Sequence, residues 1–282
     1  MAESTANREH RVVSADGTEL VAAVEGQGPP LIFLPAGPGT SEASWRHVVP
    51  HLRDRFTCYL LDTRGRGLSA DNPDHSPRRL GEDVRACAES IGEPAGLLGW
   101  GSTLALAVAA EVPGHISGVA MYEPGANEVM SPEMAGELEE VIGHVGEIVA
   151  GGDLPAAARA LIQHSEFIYV DEDFAADAAT SFWDEAAPNL PVFFQEQMAE
   201  AESEEPGPTD PAVLRTIEAP VLLLHGERSR QWFRDSAQHV ATHVADGHVR
   251  EIEGAGHFGT YTAADAVAAE VTRFFGATPA GA

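Results

Sequence analysis

The first patterned segment is a pair of alternating runs around a turn. HRVVSA (10–15) and ELVAAVEG (19–26) flank Asp16-Gly17-Thr18, and Asp-Gly between alternating runs predicts a β-hairpin. Continuous apolar runs then take over: LIFLPA (31–36), FTCYLLD (56–62), AGLLGW (95–100) and HISGVAMYEP (115–124). Short runs of this kind, bounded by turn residues, predict strands buried on both faces. Helical spacing lies between them. SWRHVVPHL (44–52) predicts one short helix. In GEDVRACAESIG (81–92), Val84, Cys87 and Ile91 recur at i, i+3 and i+7, and Gly92 is the stop signal. A small-residue helix is expected from about Ser102 to Glu111. Strands alternating with helices predict parallel pairing and a doubly wound α/β sheet.

The rhythm breaks near residue 126. Ser131-Pro132 starts a helix, with serine at the cap and proline at the first helical position. Met134, Leu138, Val141, Ile142, Val145 and Ile148 form its apolar stripe, and Gly151-Gly152 ends it. Further helical segments run to about 200 and carry Phe167, Tyr169, Phe174, Phe182, Trp183, Phe193 and Phe194. AESEEPGPTDP (201–211) is a polar, proline-rich loop. Residues 126–212 are therefore expected to be a helical cap inserted into a core of 1–125 and 213–282. The alternation resumes with the strand APVLLLHG (219–226), the helix RQWFRDSAQHVATHV (230–244) and the strand HVREIEG (248–254). Thr262 and Asp265 have capping-box spacing for a last helix, whose face is Val267, Val271, Phe274 and Phe275 and whose stop is Gly276.

Composition narrows the function. The 282 residues carry a formal net charge of −27, which opposes nucleic-acid binding. All 17 basic residues are arginine, so Schiff-base lysine chemistry and a phosphate-loop lysine are absent. Arginine for lysine, with abundant Ala, Gly, Pro and Asp, fits a GC-rich, actinobacterial genome; a high-salt habitat is the other source of such acidity. The two cysteines, Cys58 and Cys87, are too few for a disulfide framework or a cysteine zinc site. Both are expected to be buried. His10, His47 and His51 form no ligand cluster, so no metal or cofactor is expected. No run reaches the ~18 apolar residues of a membrane span, and the N-terminal stretch lacks an apolar signal core. The expectation is a cytoplasmic protein, monomer or homodimer, acting on a small molecule.

Five motifs in order resemble the α/β-hydrolase fold superfamily over nearly the whole chain. LPAGPG (34–39) stands where that family has a His-Gly-x-Pro-Gly loop after its third strand. DTRGRGLS (62–69) is similar to its Asp-x-Arg-Gly-x-Gly-x-Ser loop. GWGST (99–103) occupies its nucleophile elbow, APVLLLHGERS (219–229) its acid-bearing strand and loop, and GAGHFG (254–259) its histidine loop. The resemblance implies a mostly parallel eight-stranded sheet flanked by helices, with a nucleophile, a histidine and an acid at the sheet's edge.

Two of those three positions depart from the pattern. Gly101 stands where the nucleophile belongs, and Thr103 replaces a glycine. The usual acid position, three residues after Gly226, holds Ser229; Glu123, at the carboxyl end of the sixth strand, is the expected substitute, with Glu227 and Asp235 as fallbacks. His257 matches the catalytic histidine. The resemblance places an anion hole at the N–H groups of Gly37 and Ser102, and a one-residue shift of the turn would offer Ser102 as nucleophile. Trp100, Ala36, Phe258, Phe182 and Trp183 are the expected pocket lining. Arg64 is expected to brace loops.

Three functions compete. In the first, His257, oriented by Glu123, is general acid or base on an apolar substrate under the cap, with cyclisation, elimination, decarboxylation or C–C cleavage as the chemistry and natural-product metabolism as the setting. The second is an ester, lactone or thioester hydrolase using Ser102 or an activated water. The third is a small-molecule binder without catalysis.

Overall fold

The Asp16-Gly17-Thr18 turn folds the chain's opening back on itself. Gly17 takes φ +90°, Asp16 Oδ1 accepts the Thr18 N–H at 3.1 Å, and β1 (Arg8–Val13) pairs antiparallel with β2 (Glu19–Gly26). The computed structural model describes residues 8–164 and 180–277. Phe167, Tyr169 and Phe174 lie outside the described residues.

The apolar runs form β3 (Pro30–Phe33), β4 (Thr57–Leu61), β5 (Ala95–Trp100), β6 (Ile116–Tyr122) and β7 (Val221–Gly226), and the more polar HVREIEG segment gives β8 (Gly247–Ile252). They join the hairpin in an eight-stranded sheet of order β1-β2-β4-β3-β5-β6-β7-β8. Pairing is antiparallel as far as β4 and parallel from β4 to β8. This is the α/β-hydrolase fold that the motifs imply. β3, β5 and β7 are buried at every residue, as strands with helices on both faces must be. The pleat divides their side chains. Leu98 and Trp100 join a cluster with Phe33, Trp45 and Phe258, while Ala95 and Leu97 join one with Leu34, Val84 and Cys87.

The helices deviate from expectation where local chemistry overrules periodicity. Residues 44–52 form parts of two helices, α1 (Ser41–Trp45) and α2 (Val49–Leu52). Pro50 is the cause: in one continuous helix its ring would meet the Arg46 carbonyl. α3 (Pro77–Ile91) starts before its apolar period, with Ser76 ahead of Pro77, and ends where Gly92 takes φ +86°. α4 (Leu104–Glu111) starts after Ser102, because residues 101–103 form a turn instead. Among the described residues, the helices between β6 and β7 include α5 (Pro132–Ala150), α6 (Leu154–His164), α7 (Leu190–Ala201) and α8 (Pro211–Leu214). Ser131 Oγ caps α5 by accepting the Met134 N–H at 3.1 Å. α9 (Gln231–His243) follows β7, then α10 (Gly259–Thr262) and α11 (Ala264–Ala277) follow β8. The expected capping box is not formed. Thr262 ends α10 and its hydroxyl donates to the Phe258 carbonyl at 3.1 Å, so the last helix begins at Ala264. Among the described residues, no helix is long and apolar enough to cross a membrane.

Arg64 ties three segments together from a fully buried position. Its guanidinium takes both Asp83 oxygens at 2.8 and 2.6 Å, Asp16 at 2.9 Å and the Asp74 carbonyl at 2.7 Å. Burial opposes its charge, but the hydrogen bonds and charges of Asp83 and Asp16 outweigh that, leaving its pKa above the ordinary guanidinium value. Breaking a buried pair by removing one partner costs roughly 3–5 kcal/mol. Asp83→Ala should accordingly lower the unfolding free energy by about 3 kcal/mol, read as a reduced urea midpoint at unchanged slope. Both cysteines are buried, and burial pushes their thiols up to about 12. A thiol reagent at pH 8 should therefore find neither in the native protein and both in urea.

Candidate active site

The site is built where β5 and β6 end side by side. Trp100 and Tyr122 are register partners, so Gly101 and Glu123 leave the sheet together. Gly101 takes φ +72°, and its N–H donates to the Tyr122 carbonyl at 3.0 Å. Its carbonyl accepts the Gly125 N–H at 3.4 Å, and the Ser102 N–H bends back to the Trp100 carbonyl at 2.8 Å. A γ-turn centred on Gly101 results. Glycine holds that backbone at little cost. A Cβ built on Gly101 would meet no atom within 4 Å. The turn thus keeps room for a side chain that the sequence does not supply.

Ser102 does not take the parts expected of it. Its N–H is committed to Trp100, which removes the second anion-hole donor. Its hydroxyl lies 3.4 Å from the Leu104 N–H, at the start of α4. The γ-turn explains both: it curls residue 102 toward the helix it precedes.

Glu123 and His257 are brought together. His257 Nδ1 donates to Glu123 Oε2 at 2.6 Å. A neutral imidazole donating from Nδ1 carries its lone pair on Nε2. Glu123 is 0% exposed and, among the described residues, alone in having positive φ without being glycine, at +50°. Such a backbone costs about 1–2 kcal/mol, and a buried carboxylate is costly unless hydrogen-bonded. Its other oxygen supplies the compensation. Glu123 Oε1 accepts the Ser229 hydroxyl and the Gly226 N–H, the latter at 3.3 Å. Ser229 thus serves as a hydrogen-bond donor to Glu123. The fallback carboxylates lie elsewhere: Glu227 accepts the Gly254 N–H at 2.8 Å, and Asp235 is exposed and bonded to Gln231.

Aromatic rings enclose the imidazole. Phe233 of α9 stacks on it at 4.9 Å and 18°, Trp100 lies at 5.6 Å, and Phe258 meets it edge-on at 5.6 Å. Phe182, from the insertion, packs on Trp100 at 5.3 Å and on Phe258 at 5.9 Å, with Trp183 against it at 5.3 Å. A Cβ on Gly39 would come within 2.7 Å of Phe182, so glycine there admits the ring. The expected lining residues are therefore neighbours, with Ala36 in the same apolar cluster. The Ala36 N–H is held by Ser44 Oγ at 2.9 Å. Gly37 takes φ +44°, and its N–H donates to no group among the described residues. No cluster of three or more His, Cys, Asp or Glu suited to a metal occurs among the described residues.

Sequence reasoning treated Ser229 as a vacancy and passed over Phe233. The position of Ser229, in the acid loop of a chain whose acid has moved, was the available signal. Nothing local marked Phe233.

Residues 31–270 match the sequence profile described as Alpha/beta hydrolase family. The chain belongs to that family. Among curated members it is 29% identical over 105 residues to pyrrolizixenacetamide deacetylase of Xenorhabdus hominickii, an alignment covering 36% of this chain and 40% of that one. It is 33% identical over 107 residues to haloalkane dehalogenase 2 of Mycobacterium tuberculosis, covering 34% and 35% respectively. The alignments thus span well under half the length of these relatives. In architecture it is similar to an esterase from Rhodococcus sp. ECU1013, with TM-score 0.77, 20% identity and coverage of 96% and 99%. At that identity the likeness is one of fold.

Ser229→Ala removes a donor from a buried carboxylate, a loss of about 1–3 kcal/mol. The variant should melt several degrees lower than wild type, while Ser229→Thr, which keeps the hydroxyl, should lose less.

Proposed function

We propose that this α/β-hydrolase family member is an enzyme that works without a side-chain nucleophile. His257, oriented by Glu123, transfers protons to and from a small, largely apolar molecule held between the sheet's carboxyl edge and the helical insertion of residues 126–212, which acts as a cap. One juxtaposition carries the reading: a histidine–carboxylate pair at 2.6 Å beside an elbow whose central residue, Gly101, has space but no oxygen. The elbow is degenerate as a nucleophile turn, yet the machinery that would activate a nucleophile remains.

The chemistry follows from the tautomer. Nε2 takes a proton from the substrate, the imidazolium is stabilised by Glu123, and the same proton is returned to a later atom of the substrate. The Gly37 N–H is the backbone donor for the enolate or alkoxide oxygen that develops meanwhile. Elimination, decarboxylation, cyclisation and C–C cleavage all use such a sequence, and small-molecule biosynthesis is the setting. Hydrolysis is the second reading. A water in the space before Gly101 would lose its proton to Nε2 as its oxygen attacks a carbonyl carbon, and Nε2 would return that proton to the leaving oxygen or sulfur as its bond to the acyl carbon breaks. The relatives named deacetylase and dehalogenase favour it.

Both readings place His257 at the reaction and neither uses Ser102. A panel of aryl esters, lactones and β-keto acids, screened with wild type, His257→Ala and Glu123→Gln, separates them by product. Loss of the general base should lower turnover roughly 10²–10⁴-fold. Equal rates in wild type and His257→Ala would overturn the proposal, as would fluorophosphonate labelling of wild-type Ser102. Gly101→Ser, by contrast, should acquire labelling, because its oxygen would enter open space beside the existing pair.

A further inference from the structure

Loop DTRGRG carries a second buried arginine, and its partners are unlike those of Arg64. Arg66 is 3% exposed. Its Nη1 donates to the Gly37 carbonyl and, at 3.2 Å, to the Gly39 carbonyl; its Nη2 donates to Glu196 of α7. The segment it grips is the one that offers the Gly37 N–H. Each carbonyl of that segment is engaged. The Ala36 carbonyl accepts the Gly39 N–H at 2.8 Å, Gly37 and Gly39 accept from Arg66, and Pro38 accepts Asn189 Nδ2 at 2.9 Å. The Ala36 carbonyl and the Gly37 N–H share one rigid peptide plane. The network that fixes the loop therefore fixes the direction of the unpartnered donor.

Two of the network's anchors, Glu196 and Asn189, come from the insertion. Glu196 is itself mostly buried, its side chain 11% exposed. Burial raises its pKa, and the Arg66 charge and hydrogen bond act against that rise. α7 also packs Val192 against Gly65, where a Cβ would come within 2.9 Å of it. The insertion has another tether, Arg46 of the core paired with Glu185, which leaves the 36–39 loop untouched.

We propose that Arg66 is a positioning residue that couples the docking of α7 to the orientation of the Gly37 N–H. Its planar fork spans two carbonyls and a carboxylate at once, a task beyond a lysine ammonium. With Glu196 in place the guanidinium is held and the loop is set; without it Arg66 loses its fixed end and the loop loosens. The proposal rests on Gly37 being the anion-hole donor.

Hydrogen exchange followed by mass spectrometry tests the coupling without a known substrate. Glu196→Gln and Arg66→Lys should speed exchange of the Ala36 and Gly39 amides at least tenfold, although Glu196 lies far along the chain from both. Glu185→Gln, which cuts the other tether, should leave those amides unchanged. Faster exchange confined to 190–201 in Glu196→Gln would overturn the proposal, as would an equal effect on the loop from Glu185→Gln. Chemistry gives a second measure. In a Gly101→Ser background, adding Glu196→Gln should lower the maximal fluorophosphonate labelling rate tenfold and leave the half-saturating probe concentration within twofold. An unchanged rate would count against Arg66. Failure of Gly101→Ser to label at all would fall on the proposed site, while the exchange comparison would still decide the coupling.

Discussion

A carboxylate with no access to water sits at the centre of this structure, and its neighbours are arranged around the need to satisfy it. Glu123 leaves β6 in a left-handed backbone conformation that glycine favours. It is held there by its own N–H, donated to the Leu224 carbonyl at 2.7 Å, and by bonds to its carboxylate from His257, Ser229 and Gly226. These partners come from β7 and from the loops after β7 and β8. The ends of three adjacent parallel strands thus converge on one side chain. Parallel sheets present their strand ends as a crevice, and here the crevice is closed around an acid.

Glu123 and Gly101 bear on each other through shared backbone. The Gly101 N–H and carbonyl are fastened to Tyr122 and Gly125, the residues on either side of the Glu123-Pro124 step. The elbow is therefore kept in shape by the segment that carries the acid. Deleting the oxygen from position 101 leaves that bracing intact. The turn therefore keeps its shape without a side chain at its centre.

Sheet and motifs were legible because they depend on local patterns. Each buried strand announced itself as an apolar run, and Glu123 could be picked out as the residue ending β6. Helix edges were less legible where one residue acts against the period. Pro50 divides a segment whose composition is otherwise helical, and Thr262 serves the turn before the helix it was expected to cap. The direction of the Ser102 N–H was not legible, because a γ-turn and a standard elbow share the same sequence; only the hydrogen bond to Trp100 separates them. Phe233, Arg66 and Glu196 were beyond reach for another reason. Each acts across a long stretch of chain, and no spacing along one strand of text encodes a stack or an ion pair closed in three dimensions.

The vacancy at Gly101 also has a genetic meaning. Glycine codons ending in a pyrimidine lie a single base change from those of serine, cysteine and aspartate. Each of these would place a nucleophilic atom in unobstructed space beside an intact histidine–carboxylate pair. Most proteins would need several coordinated changes to acquire such a centre. Position 101 is separated from such a side chain by the smallest step mutation can take.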